Sequence, residues 1–182
     1  NNSKISLDKF IDRALYDKSK GYYIKKNPIG EKGDFITSPK ISVMFSEMIA
    51  IWIVAFWEKL GFPKKINIIE LGAGDGEMMC QILKSINSFE KFKLSSKFYI
   101  VEKSPYLKKI QKKKLKNKNI IWTNNINKIA NSASIFISNE FFDSLPIKQF
   151  TKKKNIWYEK FICMKNKNFE FVDIKTEKLK IE

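Results

Sequence analysis

Three clusters of polar residues in this 182-residue chain each follow a short apolar run. An open α/β sheet gathers its ligand-binding groups in this way, just outside the carboxyl ends of its strands. The first cluster is Glu70 with the turn residues Gly72, Ala73, Gly74 and Gly76. Glycines suit a turn whose backbone must come close to a ligand, because a side chain would hold it away and some turn positions need positive φ. Free N–H groups at the start of the following helix would then face the crevice. The second is Glu102, where a carboxylate at a strand tip can accept hydrogen bonds from both hydroxyls of a ribose. The third is Asn139-Glu140-Phe141-Phe142-Asp143, after the fourth apolar run. Each cluster also has a plainer reading. The turn can be a structural strand-to-helix link, Glu102 can simply favour the helix opened by Ser104-Pro105, and Glu140 and Asp143 can cap a turn.

The elements that would position these groups are legible in the pattern. From Lys65, a run with β-branched Ile66, Ile68 and Ile69 is too short for a helix, stops at the glycines and gives way to helix formers from Glu77. Further strands are predicted at 97–101, 119–123 and 134–138, the one at 119–123 leading into Asn124 and Asn125. Ahead of this unit, Leu7, Phe10, Ile11, Ala14 and Leu15 fall at helical spacing behind a Ser6 cap. Two loops, 16–23 and 30–39, carry Tyr16, Tyr22, Tyr23 and Phe35 and suit either a lid over the crevice or anchors onto the core. Residues 43–57 are too short to cross a bilayer and read as a core helix, ended by Gly61 and Pro63. After Pro146, strands are predicted at 147–151, 156–163 and 169–174, the last two joined across Asn166, Lys167 and Asn168. The division expected is 1–62 for helices and lid loops, 63–146 for the βα core and 147–182 for a β-hairpin segment.

Composition narrows the chemistry. No histidine is present, which removes Ser-His-Asp and Cys-His machinery and histidine-ligated metals. No metal site is expected. Cys80 and Cys163 form no C-x-x-C, so a reduced, intracellular setting is the default. The net charge of +16 invites a nucleic-acid reading, yet Arg13 is the only arginine among 35 basic residues. Arginine is the preferred residue for bidentate contacts to bases and phosphates, so its scarcity argues against sequence-specific binding. The run 112–116 is expected to be a solvated basic helix face.

Glycine spacing discriminates between ligands. A dinucleotide fold needs G-x-G-x-x-G, and Glu77 stands where its third glycine belongs. The pattern from Glu70 to Gly76, E-x-G-x-G-x-G, instead resembles motif I of class I methyltransferases that use S-adenosylmethionine (SAM). That resemblance implies a Rossmann-like sheet in which Gly72, Ala73, Gly74 and Gly76 let the backbone approach the methionine part and ribose, with Glu70 near the amino group. It also implies an amide near the third strand, here Asn124, at the adenine edge.

The likeness extends further. Phe10, Ala14, Leu15, Tyr16, Asp17, Gly21, Tyr22 and Tyr23, then Gly33-Asp34-Phe35, Thr37-Ser38-Pro39, Phe45, Glu47 and Trp52 are similar to the MidA family of SAM-dependent methyltransferases. Val101-Glu102, Ser104-Pro105, Leu107, Gln111, Leu115, Asn139 to Asp143, Leu145-Pro146 and Gln149-Phe150 continue the match in order. The resemblance implies methylation of protein arginine, with an NADH dehydrogenase subunit of respiratory complex I as the target type, in the mitochondrial matrix or a bacterial cytoplasm. The family carries a further strand with an Asp-Tyr-Gly signature, and the chain ends before it. The expectation is therefore the N-terminal part of a longer enzyme, with a sheet incomplete on its C-terminal side.

For such an acceptor the site must hold a planar guanidinium, which carboxylates do bidentately. Glu140 and Asp143 are the candidates, with Asn139 as a positioning amide bordering both acceptor and cofactor and Glu140 as eventual proton acceptor. Methyl transfer is an in-line displacement that chiefly requires alignment and exclusion of water. Two alternatives stay open: a methyltransferase acting on nucleic acid or a small molecule, and a non-catalytic assembly protein that retains a SAM pocket.

Overall fold

The structure, a computed structural model, describes residues 4–25, 33–116 and 118–177. Strand β1 (Lys4–Ser6) leads into helices α1 (Leu7–Tyr16), α2 (Tyr22–Lys25), α3 (Ser38–Ile41) and α4 (Val43–Lys59). Then come β2 (Ile66–Leu71), α5 (Glu77–Ser85), α6 (Glu90–Ser95), β3 (Ser96–Val101), α7 (Pro105–Lys114), β4 (Ile120–Thr123) and β5 (Ala133–Ser138). Strands β6 (Phe150–Lys153), β7 (Ile156–Lys165) and β8 (Asn168–Lys175) follow. Two compact units result, one of residues 23–141 and one combining 1–22 with 142–182.

The first unit is built on a parallel sheet in the order β4-β3-β2-β5. Strand β2 is central, and five of its six residues are buried. Full burial of Ile66, Ile68 and Ile69 is worth about 1.5–3 kcal/mol each, enough to make this strand the anchor of the sheet. Its one buried amide, Asn67, donates Nδ2 to the Ala130 carbonyl at 2.9 Å and to Ser134 Oγ at 3.3 Å. Those bonds fix the approach of β5. From β2 the chain steps to β3 and β4 on one side and then crosses to β5 on the other. The order reverses between β2 and β5, the place where open α/β sheets bind ligands. Pairing of Leu71 with Ser138 puts the residues after them, Gly72 and Asn139, side by side at that crevice.

Helix α4 packs on α5 through Ala50, Ile53, Val54 and Trp57. The sequence reading of a core helix holds for that side alone. Met44, Met48, Ile51, Trp52 and Phe56 are exposed, and Trp52 stacks on Phe56 at 5.0 Å. An apolar run reports burial only when polar residues mark the other face, and here Glu47 and Glu58 stand among large apolar side chains on the exposed side. The helix ends as expected at Gly61, with φ +80°.

The second unit is an antiparallel sheet. Strand β7 pairs with β8 along its length, and β6 and β1 share its other edge. Both hairpin turns, Lys154-Asn155 and Asn166-Lys167, are two residues long with positive φ at each position, matching the right-handed twist of the strands they join. The first strand of this group begins at Phe150, three residues later than the 147 predicted from apolar content, because its register is set by the Lys154-Asn155 turn. The loop predicted at 16–23 contains the short helix α2 from Tyr22. Tyr16 is anchored within this unit, its hydroxyl donating to the Ser144 carbonyl at 3.0 Å. Residues 30–32 of the second aromatic loop lie outside the described residues.

Candidate active site

The glycine turn after β2 forms because its backbone needs what only glycine adopts freely. Gly72, Gly74 and Gly76 have φ of +64°, +54° and +84°. Gly72 N–H continues the ladder to the Val101 carbonyl at 3.0 Å, and Gly76 N–H closes the turn on the Ala73 carbonyl at 2.7 Å. Close approach adds a second constraint. A Cβ at Gly76 would meet Leu115 Cδ1 at 3.2 Å, which seats the turn against α7.

Glu70, just before the turn, is 2 % exposed and its Oε2 has no hydrogen-bond partner among the described residues. Burial pushes its carboxyl up to about 8, and the nearby Asp75 and Glu102 charges push the same way. Among the described residues no cation pairs with it. Asp75, by contrast, has two: Lys40 Nζ at 2.7 Å and Lys114 Nζ at 2.8 Å. Burial works to raise Asp75, but these two ammonium groups hold it below the usual carboxylate range. Lys114 also reaches Glu77 at 2.6 Å, and Asp75 Oδ1 accepts the Glu77 N–H at 3.2 Å. One ion-pair network thereby ties α3, the glycine turn and α7 together.

Glu102 ends β3 at 6 % exposure. Its Oε1 accepts the Ser104 N–H at 2.8 Å and its Oε2 accepts Gln111 Nε2 at 3.0 Å, and the Lys103 backbone N–H also bonds this carboxyl. Burial raises its carboxyl, against these three hydrogen bonds. Ser104 caps α7 as its position ahead of Pro105 predicted, accepting the Leu107 N–H at 3.2 Å. The same hydroxyl donates to the Tyr23 carbonyl at 2.6 Å, drawing that aromatic segment to the β3 end of the sheet.

A small cavity of about 30 Å³ lies over the turn, lined by Glu70, Gly72, Gly74, Asp75, Asn139 and Thr37, with Ala73 in its wall. That is room for one water, so a larger ligand requires the lining to part. Phe141 is the nearest cover over Gly72. Among the residues predicted from sequence, the structure thus gathers Glu70, Gly72, Ala73, Gly74 and Asn139 around one space. Glu102 joins them through its field on Glu70 and through Gln111. Asn124 is exposed beyond β4, outside that lining. Glu140 is exposed and held at φ +51°, an uncommon conformation for this side chain. Asp143 is exposed in the short turn 142–144 of the other unit. Sequence reasoning missed Asp75, Lys40 and Lys114 as a network, since only the fold brings them together; the acid between two turn glycines was the available signal.

The fold and this crevice define an open α/β domain built to receive an adenosine-bearing cofactor. Comparison with known proteins narrows that class. Residues 48–182 match the family described as S-adenosyl-L-methionine-dependent methyltransferase, and the chain belongs to that family. It is 32 % identical to the protein arginine methyltransferase NDUFAF7, mitochondrial, of Xenopus laevis, over 87 % of this chain and 42 % of the relative. The Homo sapiens protein of the same name is 29 % identical, over 87 % and 41 %. The chain therefore spans less than half the length of the curated relatives it matches. A Burkholderia thailandensis crystal structure with S-adenosyl-homocysteine bound shares the fold at a TM-score of 0.79 and 22 % identity, over 96 % of this chain and 46 % of that one. The Rossmann-like class I sheet expected from motif I is thus the sheet observed.

The residues present fit the family's cofactor. Glu70 offers a buried carboxyl whose Oε2 has no hydrogen-bond partner among the described residues, the turn offers bare backbone, and Glu102 offers a second buried carboxyl at the next strand tip.

Proposed function

We propose that this chain holds SAM within residues 63–146 and takes part in methyl transfer to an arginine side chain of a protein. The observation that carries the reading is Glu70: a buried carboxyl with no cation beside it among the described residues, next to a bare glycine turn at the switch point of the sheet. In water-free surroundings an α-ammonium supplies the missing charge. Glu102 receives the ribose hydroxyls. Asn139, from the adjoining strand end, orients the reacting end, and Asn124 borders the adenine side. When bound, SAM supplies an electrophilic methyl on a sulfonium sulfur, open to in-line displacement.

Glu140 pairs with the guanidinium of the acceptor and takes its proton, so that the freed nitrogen lone pair can attack the methyl; Asp143 is the second carboxylate that the family resemblance offers for this acceptor. The names of the relatives support a protein arginine target, and we extend this to a respiratory complex I subunit, in the mitochondrial matrix of a eukaryote or the cytoplasm of a bacterium. No helix among the described residues is long and apolar enough to cross a membrane.

Calorimetric titration with S-adenosylhomocysteine tests the cofactor site. Binding that Gly74→Val abolishes supports it, and no binding to demonstrably folded protein sinks it. Mapping methyl label on protein against RNA or DNA tests the acceptor. A second reading, an assembly protein retaining the pocket without turnover, is favoured by the exposed apolar side of α4. It requires Gly74→Val to leave the cellular role intact.

A further inference from the structure

Gln111 lies on α7, outside the cavity wall, and is completely buried. Its side chain makes three hydrogen bonds. Nε2 donates to the Gly74 carbonyl at 2.8 Å and to Glu102 Oε2 at 3.0 Å, while Oε1 accepts Trp122 Nε1 at 3.1 Å. An indole nitrogen only donates, so Trp122, on β4, obliges the amide oxygen to face it. Both amide hydrogens are then directed at the glycine turn and the Glu102 carboxylate. The stem of the same residue packs against the third turn glycine, with Gln111 Cγ 3.5 Å from where a Gly76 Cβ would stand.

We propose that Gln111 is a positioning residue for the cofactor: by bonding Gly74 and Glu102 at once, it sets the spacing between the turn after β2 and the ribose-binding carboxylate at the tip of β3. The proposal rests on the SAM reading of the site. Other side chains fail for definite reasons. Glutamate would turn an acceptor towards two acceptors. Methionine would fill the space but leave the Gly74 carbonyl and Glu102 Oε2 without that donor in a buried setting, which costs more than the bond itself contributes. Trp122 acts one step further out, by fixing the amide's orientation. Because Gln111 reaches the ligand only through Glu102 and the turn, its effect depends on whether the ligand has ribose hydroxyls for Glu102 to hold.

The experiment is calorimetric titration of the full chain and of Gln111→Met and Trp122→Phe variants with two probes, S-adenosylhomocysteine and its 2′,3′-dideoxy analogue. Gln111→Met is expected to weaken the first about tenfold and the second less than about threefold, with Trp122→Phe intermediate and showing the same selectivity. Equal losses for both probes overturn the proposal and reduce Gln111 to a packing residue. If Gln111→Met fails to fold, Trp122→Phe decides: unchanged affinity or an equal loss for both probes overturns the proposal. Failure of the unaltered, folded chain to bind either probe sinks the cofactor reading itself, a result separate from the others.

Discussion

The ring of Phe141 lies so close to Gly72 that a Cβ at position 72 would stand 2.5 Å from Phe141 Cδ2. Position 72 is thus restricted twice, by this contact and by its φ of +64°. Gly72→Ala is expected to cost about 1–3 kcal/mol of stability, the scale for left-handed strain and overpacking. Adding Phe141→Ala removes the steric part and leaves the backbone part. Urea denaturation of the four species measures the coupling. Strict additivity would mean that the ring contact plays no part.

Glu70 gives the site a proton to exchange. With its carboxyl held at about 8 in the folded chain and 4.5 as the reference, the folded state keeps a proton between those values that the unfolded state has lost. Stability from this group is therefore complete below pH 4.5 and declines as pH rises towards about 8, at up to about 1.4 kcal/mol per pH unit. Glu70→Gln is expected to flatten that decline. An ammonium seated against Glu70 would ionise it. S-adenosylhomocysteine binding at pH 7 should then release close to one proton, read by calorimetry in buffers of different ionisation enthalpy. Binding without proton release would move the ammonium elsewhere.

Asp75 behaves in the opposite sense. Lys40 and Lys114 lower its carboxyl against burial, so its contribution is present above the ordinary value of 3.8 and fades as pH falls through the lower folded value. Asp75→Asn is expected to cost about 1–3 kcal/mol at pH 7, the scale for hydrogen bonds to charged groups, with the difference shrinking towards pH 3. Thermal melts of both proteins from pH 3 to 7 check this. A constant difference would assign the loss to packing.

Glu140 separates backbone strain from chemistry. Its φ of +51° is one glycine adopts freely, so Glu140→Gly should raise stability by about 1 kcal/mol. If Glu140 accepts the acceptor's proton, both Glu140→Gly and Glu140→Gln should lose roughly 100-fold or more in methyl transfer. Full turnover by Glu140→Gln would leave the residue a purely structural role.

Several elements were legible from neighbouring residues alone. The run Ile66 to Leu71 could only be a short buried strand, and the glycines after it could only be a turn. Ser104 before Pro105 announced α7, and the bond from Leu107 N–H is what a cap of that type makes. These features depend on contacts within a few residues, where side-chain shape and backbone freedom decide the outcome.

The remaining features needed the whole chain. Residues 4–6 pair with 161–163, a match no local pattern encodes, because a three-residue strand takes its register from its partner. The exposed side of α4 carries large apolar residues as its buried side does, with only Glu47 and Glu58 to mark it, so composition told the two apart poorly. Likewise, the sequence determined that Glu70, Gly74 and Glu102 would stand at strand ends and supply acceptors and bare backbone. That Glu70 meets no cation among the described residues while Asp75 has two, and that Gln111 spans Gly74 and Glu102, was decided only by tertiary structure. Charge balance and hydrogen-bond satisfaction in a buried site depend on which distant side chains the fold brings within about 3 Å.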